Sequence, residues 1–283
     1  MPNNTQRKIK IVADSSSDIL KLDSIPFCSV PLKIHTDEAQ FIDNSELDVQ
    51  GMVAFFDQYS GRAVTSCPNA AEYLQAFGDA DEIFCITITS ALSGSYNAAC
   101  AARQIYESEH DGRKVCIIDS LSTGPELHMI IQKLAELVEQ GLDFDSICQS
   151  ISDYQRQTGL VFILESMKNL ANNGRVSKAS AKLAGILGIC VVGRASNQGT
   201  LEPLCKCRGR RRALESVIEY LVTEGVGNGK IKINHCSNPD SALMLSDMLN
   251  KRFPNVRVEI GECRGLCSFY AENGGILVAF EKQ

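Results

Sequence analysis

Long apolar runs are missing from this sequence of 283 residues, and we expect no secretory leader. No stretch approaches the roughly 18 apolar residues that a membrane-spanning helix needs, so we expect no stable membrane insertion. The first residues, MPNNTQRKIKIVADSSSD (1–18), contain no apolar core of signal-peptide length. We therefore expect a cytoplasmic protein.

Positive charge is also in short supply. The chain has 28 Lys and Arg residues against 34 Asp and Glu residues, which gives a net charge of −6 and an isoelectric point near 5.4. A protein with this balance has no general attraction for nucleic acid. We predict no nucleic-acid partner.

Sequence signatures of catalysis and of cofactor binding are absent as well. The chain has neither the GxSxG nor the SxxK arrangement of a serine nucleophile. GVGNGK (225–230) follows a predicted helix and precedes a predicted strand, the reverse of a dinucleotide-binding loop, and predicts a helix end and a turn. We assign no catalytic residue and expect no cofactor. A distant histidine could still lie beside Ser93 in the fold, so a small acyl hydrolase that uses Ser93 stays open as an alternative.

Cysteine, by contrast, is abundant, with 12 residues. Most of them stand inside apolar segments, as Cys85 and Cys116 do, which is how reduced cysteine behaves as a small core residue. Without a secretion signal we predict no disulfide framework. The CxC pair at 205–207 and the CxxxC pair at 263–267 do not have the spacing of a zinc knuckle, so we predict no metal site.

Strand and helix patterns alternate along the first half of the chain. Apolar runs such as EIFCITI (82–88) and KVCIIDS (114–120) predict buried strands, and amphipathic helices stand between such runs. This order favours a mostly parallel sheet with right-handed crossovers. The sequence therefore predicts an α/β protein of two domains, a three-layer parallel-sheet domain at 1–157 and a smaller α/β domain at 158–283.

Some predictions are more local. CSVPLKIHT (28–36) is predicted to form one strand, and residues 46–59 a helix. Pro68 suits the first turn of the next helix, where Asn69 and Glu72 have the spacing of a capping box. Residues 167–192 predict a helix, a turn at Asn173–Gly174, a second helix and a strand.

Two hydroxyl-rich turns that each lead into a helix are the most informative feature: VTSCPNAAEYL (64–74) and ITSALSGSYNAACAA (88–102). The second turn follows a predicted parallel strand, and open α/β folds bind ligands at the carboxyl ends of such strands. Hydroxyl groups and free N–H groups at a helix start form a site for a carboxylate or a phosphate. The candidate ligands to such an anion are Thr65, Ser66, Ser93 and Gly94. Simple helix capping is the alternative for each turn.

Further polar groups have two interpretations each. KCRGRRRALE (206–215) places Arg208 and its neighbours near a helix start, where they contact a phosphate or an acidic partner, or form a solvated basic turn. Arg175 could line a site at the domain cleft or form a local salt bridge. The DSSSD loop (14–18) could orient the anion site or cap a helix that begins at ILKL (19–22). Apolar segments of the second half, at 160–164, 183–192 and 276–280, are core or the walls of a tunnel for a long apolar tail.

Seven segments together resemble the DegV family, in its order and spacing, over nearly the whole chain. They are KIVADSSSDI, VTSCPNAAEYLQAF, ITSALSGSYNAA, VCIIDSLSTG, LESMKNLANNGRVSKASAKLAGILGI, LCKCRGRRRALE and HCSNPDSA. The resemblance implies two α/β domains with a lipid site at their interface and a long-chain fatty acid as ligand. It also implies a carrier that is not itself an enzyme. Such a carrier is the fatty-acid-binding subunit of a bacterial fatty acid kinase, whose separate kinase makes an acyl phosphate for phospholipid synthesis.

The resemblance also assigns roles to residues. The TSxP turn gives Thr65 and Ser66 as carboxylate ligands, and the LSGS turn gives Ser93 and Gly94. The K-x-R-G segment gives Arg208, which matches an arginine that kinase-coupled members need, as a candidate contact to the partner or to phosphate. Arg175 and Tyr270 are further candidates for a contact to the partner or to phosphate.

The chain departs from the family pattern near its C-terminus. Tyr270 stands at the position of a family histidine linked to phosphoryl transfer, and Glu272–Asn273 replaces Gly-Pro. Cys190–Val191 replaces a Lys-Pro pair, and Asn69 replaces a serine. Because tyrosine donates a hydrogen bond but carries no charge near pH 7, we expect fatty-acid binding to tolerate these changes better than phosphoryl transfer. A lipid-binding protein uncoupled from a kinase is the alternative.

Overall fold

The computed structural model describes residues 7–177 and 188–282. The strands, numbered in chain order, are β1 (Ile9–Asp14), β2 (Phe27–Val30), β3 (Lys33–His35), β4 (Gln40–Ile42), β5 (Val64–Ser66), β6 (Glu82–Thr87), β7 (Lys114–Asp119), β8 (Thr158–Leu164), β9 (Ile189–Ala195), β10 (Leu201–Arg208), β11 (Asn228–His235), β12 (Asn255–Glu262) and β13 (Ile276–Glu281). The helices are α1 (Val49–Gln58), α2 (Ala70–Phe77), α3 (Ser95–Glu109), α4 (Pro125–Glu139), α5 (Phe144–Gln155), α6 (Lys168–Asn172), α7 (Arg210–Thr223), α8 (Pro239–Arg252) and α9 (Gly265–Ala271).

A four-stranded sheet in the order β2-β1-β6-β7 forms the centre of the first half, and all of its strand pairs are parallel. Side chains of one face, such as Ile11 and Phe84, pack against α4 and α5. Those of the other face, such as Val12 and Cys85, pack against α2 and α3. Because both faces are covered, the strands are continuous apolar runs. The predicted three-layer parallel arrangement is confirmed.

A six-stranded sheet in the order β10-β9-β8-β13-β11-β12 forms the second half. Its pairs are antiparallel except β11 with β12. One face packs against α7 and α8. The other packs against α1, α6, α9 and part of α4, and so faces the first half. The sheet begins at Thr158 with β8; the domain boundary between residues 157 and 158 stays a prediction.

The prediction of a single strand at 28–36 is wrong. The structure divides it at Pro31 into β2, in the parallel sheet, and β3, in a separate antiparallel sheet of order β4-β3-β5. Proline has no N–H for a sheet ladder and restricts the residue before it, so the chain changes direction there. Residues Val64–Ser66, predicted as part of a turn, are strand β5 of that small sheet.

The start of α2 follows the predicted capping box. The Asn69 side chain accepts from the N–H of Glu72 at 3.0 Å, and the Glu72 carboxylate accepts from the N–H of Asn69 at 2.9 Å. Pro68, predicted inside the first turn, lies just before the N-cap residue Asn69 instead, because α2 begins at Ala70.

The remaining local predictions have different outcomes. The turn predicted at Asn173–Gly174 ends α6, with Gly174 at φ +73°. The helix predicted after it falls largely on 178–187, outside the described residues. Of the turn predicted at 225–230, residues 225–227 lie between α7 and β11, with Gly225 at φ +78°, whereas residues 228–230 are the first residues of β11. In the described ranges, no helix is long and apolar enough to cross a membrane.

Candidate functional site

A largely apolar cavity lies between the two halves. Its atom-free space, including the part open to solvent at its mouth, is about 680 Å³. The apolar lining residues are Leu32, Ile88, Leu92, Leu160, Phe162, Leu164, Leu170, Leu201, Leu266, Ala271 and Leu277. The polar ones are Thr65, Ser93, Thr123, Arg175, Cys267 and Tyr270.

One wall of the cavity is a face of β8. Leu160, Phe162 and Leu164 line the cavity, whereas Val161 and Ile163 pack on the opposite side against α7 and α8, as the alternation of a strand requires. The ring of Phe162 lies over Gly193 of β9, where a Cβ atom would come within 2.4 Å of the ring. Because residue 193 is glycine, the Phe162 ring can lie close to β9 rather than project further into the cavity.

A second wall is the helix α9. Its residues Leu266, Cys267, Tyr270 and Ala271 all line the cavity, because positions separated by three and four share one face of a helix. The opposite face carries Phe269, whose ring packs against Phe56 of α1 at 4.9 Å between centroids. The helix thus connects the cavity to a cluster of aromatic side chains.

At the polar end of the cavity, a hydrogen bond connects β5 to α9. The Thr65 hydroxyl lies 2.7 Å from the Tyr270 hydroxyl. Burial raises the pKa of Tyr270, which keeps its phenol neutral near pH 7. The Arg175 guanidinium lies 6.0 Å from the centre of the Tyr270 ring and donates from Nε to the Leu92 carbonyl at 3.1 Å. A neutral hydroxyl pair beside one cation suits a carboxylate.

The second hydroxyl turn lies against the first. Ser93 Oγ accepts from the N–H of Ser95 at 3.2 Å and lies 3.1 Å from Ser95 Oγ, at the start of α3. A Cβ atom on Gly94 would come within 3.1 Å of the Cys67 sulfur, so only a small residue allows the two turns to pack this closely. The helix dipole adds positive potential at the start of α3.

Four of the predicted residues share the cavity. Thr65, Ser93, Arg175 and Tyr270 all line it. Gly94 packs behind it against Cys67, next to Ser93.

Ser66 and Arg208 lie elsewhere. Successive residues of a strand point to opposite faces. While Thr65 faces the cavity, the hydroxyl of Ser66 lies 2.8 Å from Nε2 of His35 on the other side of the small sheet. Arg208 ends β10 with an exposed side chain and is not among the lining residues.

The DSSSD loop has a role in supporting the site. Asp14, which is fully buried, accepts from the N–H of Ile88 at 2.9 Å and from the N–H of Ser16 at 3.2 Å. Burial raises the pKa of Asp14 to about 6. The carboxyl therefore both caps the short 3-10 helix 15–17 and holds the start of the second hydroxyl turn. The predicted cap of a helix at 19–22 is wrong, because those residues form no helix.

Some lining residues gave no signal in the sequence. Thr123 follows β7 and approaches the Cys267 sulfur at 3.6 Å. Cys267 belongs to α9, which is short and almost wholly buried and so has no amphipathic period to reveal it.

Metal ligands are not assembled in the described ranges, where no group of three or more His, Cys, Asp or Glu side chains could hold a metal ion. All twelve cysteines are free thiols.

Comparison of the sequence with known proteins identifies its family. A family model described as an uncharacterised protein of the DegV family matches residues 8–283. The chain belongs to the DegV family. A DegV domain-containing protein of Streptococcus gordonii is 41% identical over 276 residues, which cover 96% of this chain and 98% of that protein.

Two solved structures share the fold over their full length. A DegV family protein from Eubacterium eligens, loaded with heptadecanoic acid, superposes with a TM-score of 0.95 at 42% identity and covers 97% of this chain and 100% of its own. The fatty acid kinase (Fak) B3 protein of Streptococcus pneumoniae, loaded with linoleic acid, superposes with a TM-score of 0.95 at 38% identity. The match covers 98% of this chain and 100% of that protein's chain. The mixed α/β fold of this chain is therefore that of DegV structures.

Proposed function

We propose that this protein binds one long-chain fatty acid in the cavity between its two sheets. The carboxylate lies at the polar end, beside Thr65, Ser93 and Tyr270, and the acyl chain lies between β8 and α9. The observation that carries the proposal is an apolar cavity whose polar lining groups include hydroxyls from both hydroxyl turns. The DegV relatives loaded with heptadecanoic acid and linoleic acid support it.

Hydroxyl pairs suit a carboxylate because each pair keeps a spare hydrogen. In the Thr65–Tyr270 pair, one hydroxyl donates to the other, and the accepting hydroxyl still has its own hydrogen for a ligand oxygen. The Ser95 hydroxyl bonds to the Asp14 carboxyl, so at the second turn the Ser93 hydroxyl is the one whose hydrogen can turn to a ligand oxygen. Hydrogen bonds to a charged group contribute more than neutral ones, and Arg175 adds a cation at the same end.

The apolar walls supply most of the affinity. Each buried methylene contributes about 0.8 kcal/mol, so a long chain binds tightly with few polar contacts. Among the lining residues that the structure describes, Arg175 alone carries a formal charge near pH 7, and a charged or strongly polar tail would lose its hydration there without compensation. The cavity thus selects an anionic head and an apolar tail.

We further propose that the bound acid is presented to a separate fatty acid kinase, which forms the acyl phosphate used in phospholipid synthesis, and that the chain itself is not an enzyme. Support comes from the name of the S. pneumoniae relative and from the exposed Arg208, a candidate contact to the kinase.

Ser66, through its bond to His35, would hold β5 in place, and Gly94 would keep the two turns close.

A carrier uncoupled from any kinase is the second candidate, and Tyr270 favours it. Its phenol is neutral and already bonded to Thr65, whereas a histidine there could carry a charge near the transferred phosphoryl group. The acyl hydrolase has less support, since Ser93 pairs with Ser95 rather than with a histidine.

Native mass spectrometry of the purified protein, followed by extraction with organic solvent, tests the binding proposal. We expect one fatty acid per chain, released on extraction and replaced when palmitic acid is added. A protein that is empty as purified and does not bind added palmitic acid would overturn the proposal.

A further inference from the structure

The helix α9 contributes four lining residues to the cavity but is only seven residues long. Isolated helices of this length are unstable in water, because nucleation costs more than a few hydrogen bonds return. The position of Tyr270 therefore depends on what holds the ends of α9.

Two carboxylates from the first half hold the start of α9. Asp43, which follows β4 and is 1% exposed, accepts from the N–H of Gly265 at 3.0 Å and from the N–H of Leu266 at 2.9 Å, one bond to each oxygen. Asp18 accepts from the N–H of Arg264 at 2.8 Å and from the Asn234 side chain at 2.8 Å. Three consecutive N–H groups at the helix start are thus bound by the opposite half of the molecule.

Gly265 lets the Asp43 carboxylate approach this closely. A Cβ atom on Gly265 would lie 2.7 Å from the Asp43 carboxyl carbon and 2.5 Å from the Leu47 side chain. Any larger residue would separate the helix start from Asp43. Glycine at the first helical position is therefore explained by the contact between the halves rather than by helix propensity.

Hydrogen bonds and one cation oppose the effect of burial on the Asp43 carboxyl. Burial raises the pKa of Asp43, whereas the two N–H bonds, the Ser15 side chain and Arg264, whose Nε lies 3.8 Å away, stabilise the carboxylate. Negative charge at a helix N-terminus is favourable as well. The nearby Asp18 carboxyl is the other acidic group that faces this helix start.

The far end of α9 is held separately. Asn169 of α6 donates from its side chain to the Phe269 carbonyl at 2.9 Å, and its N–H donates to Glu272 at 3.0 Å. Asn169 thus ties this end to the second half. Tyr270 and Phe269 also contact the first half, through the side chains of Thr65 and Phe56. The start of the helix, in contrast, is bound to the first half through three backbone N–H groups.

We propose that Asp43, assisted by Asp18, is a positioning residue of the ligand site, which fixes α9 across the two halves so that Tyr270 meets Thr65. This inference rests on the proposed function, because its consequence is measured as fatty-acid affinity. Asp43 itself touches no ligand and acts through Tyr270 and the neighbouring residues of α9.

The test is the affinity of Asp43→Asn for palmitic acid. An amide presents one oxygen and one NH2 group, so one of the two backbone donors loses its partner. We expect binding weaker by about tenfold, the effect of one unpaired buried donor. Glu126→Gln is the matched control, since Glu126 is a buried carboxyl that accepts from Thr158 at 2.7 Å and does not line the cavity. It should lower the melting temperature without changing the affinity.

A double-mutant cycle separates positioning from a general loss of stability. If Asp43 acts through Tyr270, then Asp43→Asn in a Tyr270→Phe background should cost at most about twofold in affinity, because the contact it serves is already gone. Full additivity of the two losses would contradict the proposal.

A second variant covers the case in which Asp43→Asn fails to fold. Gly265→Ala keeps the carboxylate and should weaken binding through the collision with Asp43. Unchanged affinity in Gly265→Ala, or in a folded Asp43→Asn, would overturn the positioning role while the wild type still binds palmitic acid. A wild type that does not bind palmitic acid in the same assay would instead overturn the proposed function.

Discussion

The hydroxyl of Thr65 lies 2.7 Å from the hydroxyl of Tyr270, and this bond joins residues that are 205 positions apart in the chain. Thr65 belongs to the small sheet of the first half and Tyr270 to α9 of the second. The polar end of the cavity therefore exists only when the two halves are correctly docked. Ligand affinity at this end should respond to changes on either side of the joint.

The first prediction concerns the hydroxyl donors. Thr65→Val combined with Ser93→Ala removes two hydroxyls while nearly preserving side-chain volume. Hydrogen bonds to a charged group contribute roughly 1.5–3 kcal/mol each, so palmitic acid should bind at least about tenfold more weakly in a calorimetric titration. Thr223→Val, at the exposed end of α7, is the control and should leave the affinity unchanged. Equal affinity of the double variant and the parent would show that the carboxylate lies elsewhere.

The second prediction concerns coupling to a kinase. With ATP and a separate fatty acid kinase, Tyr270→His should support the formation of more acyl phosphate than the parent does, measured as hydroxamate after trapping with hydroxylamine. The reason is that imidazole can be protonated near neutral pH, whereas the phenol of Tyr270 cannot carry positive charge. A parent that already matches Tyr270→His would show that tyrosine suffices and would remove the case for an uncoupled carrier.

The sequence predicts the central parallel sheet of the first half well, for a physical reason. Strands that are buried on both faces, such as β6, are continuous apolar runs, and turns that follow them are easily recognised. Small elements gave no such pattern. Strand β5 has three residues, too few for a period of two to show, and so the opposite orientations of Thr65 and Ser66 could not be foreseen from their adjacency.

Long-range polar contacts were beyond sequence reasoning. Asp43 binds the N–H groups of residues 222 and 223 positions away, and nothing in its neighbourhood in the sequence indicates such a partner. Helix α9 is buried nearly all round, so it lacks the polar face that would reveal a helix. Tyr270 was recognised only through the resemblance to the DegV family.

The third prediction concerns the wall of the cavity. Gly193→Ala places a Cβ atom within 2.4 Å of the Phe162 ring and 2.8 Å of the Glu202 carbonyl. The ring must move toward the cavity, and overpacking of this kind costs about 1–3 kcal/mol of stability. Thermal unfolding should show a lower melting temperature, and titration should show weaker binding of palmitic acid. Adding Phe162→Leu, which relieves the collision, should restore both quantities in part. A single variant with normal stability and affinity would mean that the ring does not limit this wall.

The last prediction concerns pH and the buried carboxyl of Asp14. Burial raises the pKa of Asp14 from 3.8 to about 6, so the folded protein keeps a proton that the unfolded chain releases. Between these two pKa values the folded state binds more protons, and stability from this group is present at acid pH and falls as the pH rises from about 4 to about 6. The effect is of the order of 3 kcal/mol.

Buried His128 acts in the opposite direction, because burial lowers its pKa to about 3 and its unfolded form takes up a proton below about pH 6.5. The measurement must therefore be a difference between variant and parent. In urea unfolding across this range, the stability of Asp14→Asn relative to the parent should rise with pH up to about pH 6 and then level off. Asp143→Asn is the control, since the pKa of Asp143 is lowered by its hydrogen bonds to Ser146, and its relative stability should stay level above about pH 5. A flat difference for Asp14→Asn would show that Asp14 is ionised in the folded protein throughout, held by the N–H of Ile88 and by Ser16.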